Sequence, residues 1–206
     1  MPTSLFVREY DIEAPLPLQP PTGHVISDRA PSDGSCQDAS RQDRGSHMSR
    51  ETSATLFLEK QGIPFSLHDY EYNPNGGLIG MQAADAIGAD PGSVLKTLVV
   101  EIDKKQPACV VAPAHQKLNL KKVAALFGGR NARMMNPEKA HELTGYQSGG
   151  TSPFGQATSI PVVLSQDAMG QEHVYINAGH QGFVVRISPQ DAQRITDAKV
   201  ADVAAD

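Results

Sequence analysis

Val94-Leu95-Lys96-Thr97-Leu98-Val99-Val100-Glu101-Ile102 is the most strand-like stretch of the chain, nine residues rich in Val, Leu, Ile and Thr and free of Gly and Pro. Side chains alternate between the two faces of a strand, so Lys96 shares a face with Val94, Leu98 and Val100. A lysine inside an apolar stripe is costly unless its ammonium reaches water or meets an anionic or carbonyl partner. Two readings follow: a strand-end lysine with its head in solvent, or an electrophilic or phosphate-contacting lysine at a pocket mouth.

Working outward, residues 52–61 read as a short helix closed by Gly62-Ile63-Pro64, and residues 65–71 as a strand. Residues 81–87 before Gly88 predict a second helix, and residues 108–112 a strand to pair with 94–102. Asn119 can cap a helix running to Phe127, and Asn136-Pro137-Glu138 opens another that Gly145 stops. Short strands are expected at 160–164, 173–177 and 183–187, and Ser188-Pro189 starts a C-terminal helix over 190–196. Clustered strands with helices at irregular intervals predict a mixed α+β domain rather than a regular doubly wound sheet.

The chain has 206 residues, 39% hydrophobic, and a formal charge of −5. Residues 1–48 stand apart: six of the fifteen prolines, no lysine, four arginines and seven acids. Such a segment buries too little apolar surface to offset ordering entropy of about 1–2 kcal/mol per residue, so it is expected to be a disordered extension. Its end, Arg44-Gly45-Ser46-His47-Met48, looks like a cleavage and cloning remnant, and a misassigned upstream start is the competing reading. The folded domain is placed at 49–206. No apolar run approaches the ~20 residues of a membrane span and no leader pattern is present, so a cytoplasmic protein without membrane contact is expected. Cys36 and Cys109 are too few for a disulfide framework or a cysteine-rich metal site, and Cys109 reads as inert core.

Phosphate-loop, dinucleotide and H-E-x-x-H patterns are absent and no two histidines stand at i, i+3 or i+4, which argues against a metal enzyme or a nucleoside triphosphatase. His115 and His141 read as surface or loop residues. Gly149-Gly150-Thr151-Ser152-Pro153-Phe154-Gly155 is more informative. Adjacent glycines let a ligand approach the backbone, so successive N–H groups could meet an anion or a developing oxyanion; a plain tight turn is the alternative. It is not a serine-hydrolase elbow, because Phe154 stands where the second glycine would be needed. From Lys117 to Lys139 there are six basic residues against the single acid Glu138, which reads as a solvated helix face or as a seat for a phosphate backbone.

In combination these features resemble the YbaK-type aminoacyl-tRNA deacylases. The residues that carry the resemblance are Phe57-Leu58 with Gly62-Ile63-Pro64-Phe65 and Tyr70, Lys96-Thr97-Leu98-Val99, Leu118-Asn119-Leu120-Lys121-Lys122, Thr144-Gly145-Tyr146 leading into the 149–155 loop, and Asn177-Ala178-Gly179 before Gly182. The likeness covers about residues 52–203. It implies a mixed, barrel-like sheet with surrounding helices, related to the editing domain of bacterial prolyl-tRNA synthetases.

The resemblance also implies a function: trans-editing of mischarged tRNA, above all Cys-tRNA(Pro), because a synthetase pocket cannot reject an amino acid of similar size by more than about 1–3 kcal/mol. It assigns Lys96 to the tRNA 3′ end or the aminoacyl ester, the Gly149 and Gly150 N–H groups to the ester carbonyl, and a hydroxyl role to Ser152. Tyr70, Thr151, Pro153, Gly155 and Gly179 are expected around the substrate, and Lys117, Lys121, Lys122, Arg130 and Arg133 against tRNA. No cofactor and no metal are expected. The expected partners are the acceptor end of proline tRNA and prolyl-tRNA synthetase. In family members acting on cysteinyl-tRNA the substrate's own thiol is thought to attack its ester, so the protein supplies orientation and oxyanion stabilisation. With a substrate lacking a thiol, a water held by Ser152 or Thr151 would attack instead. Two other readings stand beside this one: a non-catalytic module that binds aminoacyl-tRNA or a synthetase, and a serine-type hydrolase using Ser152.

Overall fold

A computed structural model of the chain describes residues 9–12 and 51–205. In chain order the elements are β1 (Glu9–Ile12), α1 (Ser53–Lys60), β2 (Phe65–Asp69), α2 (Ile79–Ile87), β3 (Val94–Ile102), β4 (Gln106–Pro113), α3 (Leu120–Leu126), β5 (Ala132–Met134), α4 (Pro137–Thr144), β6 (Val162–Ser165), β7 (Val174–Asn177), β8 (Phe183–Ile187), α5 (Pro189–Thr196) and β9 (Lys199–Ala201). The domain is the expected mixed α+β structure. A 3-10 turn at Gln166–Gly170, β5 and β9 were not anticipated. Within the segment expected to stay outside the fold, Glu9–Ile12 forms a strand antiparallel to β2. The rest of that expectation lies outside the described residues.

The helix starts follow local chemistry. Thr52 and Thr55 exchange backbone-to-side-chain bonds in a capping box before α1. Asn119 Oδ1 accepts from the Lys121 and Lys122 N–H groups at the start of α3, and Asn136 does the same for Glu138 and Lys139 in α4. Pro189 opens α5 behind the Ser188 cap, and Gly145 closes α4 at φ +78°.

All nine strands belong to one sheet, ordered β1-β2-β8-β7-β3-β4-β6-β9, with β5 attached to β3 beside this path. No pairing among the described residues joins β9 back to β1, so the sheet is open along this order. β3 contributes to both faces. Leu95 and Val99 belong to the largest core cluster, with Leu58 of α1, Phe154 and Val185. Val100 and Ile102 pack with Val123 and Ala124 of α3, and Val94 with Ala83 and Ala84 of α2. Full burial of each such aliphatic side chain contributes roughly 1.5–3 kcal/mol, which makes β3 the strand on which the layers are hung.

One edge of β3 pairs continuously with β4, from Leu95–Pro113 to Ile102–Gln106. The other edge is shared. Val94 and Leu95 pair with β7 in parallel, whereas Val100, Glu101 and Ile102 pair with β5 in antiparallel sense. Between them the sheet forks. The backbone groups of alternate residues point to opposite edges. The Ala114 N–H donates to the Val94 carbonyl on the β4 side, whereas the Ser93 and Val99 carbonyls accept from Tyr175 and Met135 on the other. Thr97 therefore turns its N–H and C=O into the fork, where no strand among the described residues meets them.

Candidate functional site

A cavity of about 600 Å³ opens at this fork. Its lining comes from the edge of β3 (Leu95 to Val99), the start of α2 (Leu78 to Gly80), the β5–α4 connection (Met134, Met135, Pro137), and the segment Tyr146, Ser148, Gly149 and Thr151 with Asn177 beside it. Leu78 and Met134 at this cavity are 66% and 48% exposed, which leaves the cavity with an apolar, solvent-facing margin. Among the described residues, no Asp, Glu or His lines it.

Four of the residues singled out from sequence line this cavity: Lys96, Tyr70, Gly149 and Thr151. Lys96 lies between the α2 and α3 core clusters, and its ammonium donates to the main-chain carbonyls of Ala114, at 3.2 Å, and Gln116. The lysine in the apolar stripe is thus satisfied by carbonyl partners, while burial holds its pKa below the ordinary lysine value. Tyr70 is buried and its N–H donates to the Gly182 carbonyl. Desolvation pushes its phenol above the ordinary value, keeping it a neutral donor.

Gly149 has φ +83°, a conformation that favours glycine. Its carbonyl accepts from Asn177 Nδ2 at 3.1 Å, and the Ser148 carbonyl accepts from Gln181 Nε2 at 3.0 Å. Asn177 Oδ1 in turn accepts from the Gly179 N–H. Two side-chain amides thereby tie back the carbonyl side of the loop, and the N–H groups of Gly149 and Thr151 make no hydrogen bond among the described residues.

The other expected site residues lie elsewhere. The Gly150 N–H donates back to the Gln147 carbonyl, and a Cβ there would stand 3.1 Å from His180 Cα, so this glycine permits close backbone approach. Ser152 is fully buried and accepts from the Phe154 N–H, which makes it part of the turn rather than of the cavity. Pro153 and Gly155 do not line the cavity either; at Gly155 a Cβ would meet the Ser53 carbonyl at 2.1 Å. Gly179 borders a separate depression with Thr52, Tyr146 and His180.

The basic run does not line the cavity, and two of its members are already engaged. Arg133 donates through Nε and a terminal nitrogen to Glu101 Oε2, whose residue is 8% exposed. Lys122 pairs with Asp202 and the Ala204 carbonyl, holding the C-terminal segment against α3. Lys117, Lys121 and Arg130 carry no side-chain ion pair among the described residues. Cys109 is buried in β4 with its thiol pushed up to about 12, as an inert core residue should be. His115 is exposed, its Nδ1 bonded to the Pro91 carbonyl.

Sequence reasoning missed Thr97. Three buried side-chain polar atoms have no partner among the described residues, Thr97 Oγ1, Gln116 Oε1 and Ser165 Oγ, and only Thr97 belongs to the cavity lining. Its signal was present: a lone hydroxyl between Leu95 and Val99 on the core face of β3.

The sheet and its cavity form a mixed α+β domain, and residues 80–195 of it match the model of the aminoacyl-tRNA editing domain. The chain belongs to that family. It is similar, at 27% identity over 75% of this chain and 93% of the relative, to the Enterococcus faecalis protein EbsC, a candidate Cys-tRNA(Pro)/Cys-tRNA(Cys) deacylase. The Bacillus subtilis protein YwhH, itself uncharacterised, is 30% identical over 58% of this chain and 75% of its own length. Among solved structures, a candidate trans-editing enzyme for prolyl-tRNA synthetase superposes with TM-score 0.65 at 29% identity, covering 76% of this chain and 99% of the other.

Proposed function

We propose that the protein is a trans-editing deacylase that removes a mischarged amino acid from tRNA, with Cys-tRNA(Pro) as its substrate. The observation that carries this reading is the composition of the cavity lining: hydroxyls, loop N–H groups and a lysine, with no carboxylate or imidazole among the described residues to activate a protein nucleophile. Such a site suits a substrate that brings its own nucleophile. A cysteinyl ester does so: its thiolate attacks the ester carbonyl, a C–S bond forms and the C–O bond to the ribose breaks. The thiol proton passes to the leaving ribose oxygen, and the thiolactone is released. An ordinary thiol, with pKa near 8.5, is already a few per cent thiolate at neutral pH.

The Gly149 and Thr151 N–H groups are suited to the oxygen on which charge develops. Lys96 supplies positive charge beside the ribose and terminal phosphate. A serine-type hydrolase finds less support, because Ser152 is buried away from the cavity and no carboxylate or imidazole among the described residues lines the cavity with Ser148. The likeness to a candidate trans-editing enzyme for prolyl-tRNA synthetase favours that synthetase as a partner that delivers proline tRNA.

The test is a deacylation panel over Cys-, Ala-, Ser- and Pro-tRNA(Pro), with and without the synthetase. Preferential release from Cys-tRNA(Pro), lost in Lys96→Ala, is expected. Tight tRNA binding with no ester cleavage in any member would replace this reading with that of a non-catalytic tRNA-binding module.

A further inference from the structure

We infer that the aminoacyl group docks as a one-residue strand against Thr97, completing the sheet across the fork between β7 and β5; this rests on the deacylase reading above. In an antiparallel pair, two residues directly opposite each other exchange both N–H···O=C bonds. An α-aminoacyl ester has the same order of atoms as the facing residue: an ammonium that donates, an α-carbon, and a carbonyl oxygen that accepts. Thr97 offers the complementary C=O and N–H, both turned into the cavity and unmatched by any strand among the described residues. Recognition by a strand edge supplies main-chain bonds common to all amino acids and leaves selectivity to the side-chain pocket.

The register fixes where the substrate side chain goes. Opposed residues in an antiparallel pair project their Cβ atoms to the same face. An L-amino acid therefore lays its side chain beside that of Thr97, on the face where Leu95 and Val99 are buried and where Thr97 Oγ1 has no partner. That hydroxyl stands between Leu95 and Val99 with no partner among the described residues, and it suits a small side chain ending in a thiol or hydroxyl. A D-amino acid would be turned to the opposite face, toward Lys96. Acylation of the α-amino group removes its charge and adds bulk inside the fork.

The experiment follows the Thr97 amide by NMR hydrogen exchange in the uniformly 15N-labelled full chain. The ligand is an acceptor-stem RNA ending in 3′-(L-cysteinylamino)-3′-deoxyadenosine, which cannot be hydrolysed as an ester. Protection of the Thr97 amide by this RNA is expected, with none from the N-acetyl version or from uncharged RNA. In parallel, Thr97→Val should lower kcat/KM for Cys-tRNA(Pro) by about tenfold, the equivalent of one neutral hydrogen bond, while raising the melting temperature by removing an unpartnered buried hydroxyl. A hydroxyl of purely structural importance would leave kcat/KM unchanged.

Ester hydrolysis without Thr97 protection, or with equal protection by the N-acetyl RNA, overturns the pairing and leaves the deacylase reading intact. Protection without hydrolysis of any charged tRNA keeps the pairing as a recognition mode and removes the deacylase reading. Neither protection nor hydrolysis overturns both.

Discussion

Gly149→Ala puts the most direct demand on the loop that borders the cavity. Gly149 sits at φ +83°, and a non-glycine residue in a left-handed conformation costs about 1–2 kcal/mol. A Cβ there would also stand 2.5 Å from Gln181 Nε2 and 2.8 Å from Ile79 Cδ1. Both atoms end flexible side chains, so the clash itself is relieved by rotation. Rotation of Gln181, however, breaks its bond to the Ser148 carbonyl, worth about 1 kcal/mol net. The native loop conformation is then disfavoured by about 2–3 kcal/mol, a factor of roughly 30 to 150. Because Gln147 and Ser148 are exposed and Gly149 is only half-buried, the penalty falls on the local equilibrium of this end of the loop more than on global unfolding. The expected result in a steady-state deacylation assay is a fall in kcat/KM of about 30-fold or more, with a melting-temperature change of only a few degrees. Gln181→Ala should lose part of this activity by itself, through the missing tether. Gly149→Ala with activity within threefold of the parent and an unchanged melting temperature would refute the assignment of the loop conformation to function.

Ser152→Ala should keep kcat within about twofold while lowering stability by about 1 kcal/mol, since it removes the acceptor of the buried Phe154 N–H; thermal melts and the deacylation assay run side by side separate the two effects. Arg133→Ala should destabilise the fold by leaving the largely buried Glu101 carboxylate unpaired. The exposed arginine limits that cost to about 1–3 kcal/mol, and a denaturant midpoint measures it. Lys121→Ala should instead leave the midpoint unchanged and weaken tRNA binding with a shallower salt dependence, read by filter binding at several salt concentrations. Stability should also fall in alkali. Cys109 is raised to about 12 by burial, so its neutral form stabilises the fold fully below the unfolded thiol pKa near 9, and that contribution is lost as pH rises from about 9 toward 12. Burial of Tyr146 and Tyr70 acts in the same direction, so urea midpoints measured from pH 8 to 11 should decline steadily.

Most elements were legible because their punctuation is local. The Asn119 and Asn136 caps, the Ser188-Pro189 start and the Gly145 stop each put a helix end within a residue or two of its observed place. β5 escaped because Ala132-Arg133-Met134 lacks β-branched or aromatic residues; it is a strand because Glu101, 32 positions earlier, binds Arg133 across the pair. β9 is likewise held by parallel pairing with β6. Such strands exist through distant partners, and no local propensity marks them.

The same distinction governs the site. Period-2 alternation placed Lys96 on the face shared with Val94 and Val100, and of the two outcomes it left open, an ammonium in solvent or a carbonyl or anionic partner, the structure shows the carbonyls of Ala114 and Gln116. The glycine loop was recognised as a unit, but its members divide by backbone direction: Gly149 lines the cavity, Gly150 abuts His180, and Ser152 closes a buried turn. Backbone direction within a turn depends on what ties the loop down, here Asn177 and Gln181 from the segment around β7 and β8. Thr97 shows the limit most sharply. Parity along β3 sends its polar groups to the edge opposite β4, but whether that edge is filled depends on where β7 stops and β5 begins. Two strands paired to one edge in opposite senses cannot run continuously into each other. The interval between them leaves an unpaired backbone residue at the cavity, available to a ligand shaped like a piece of chain.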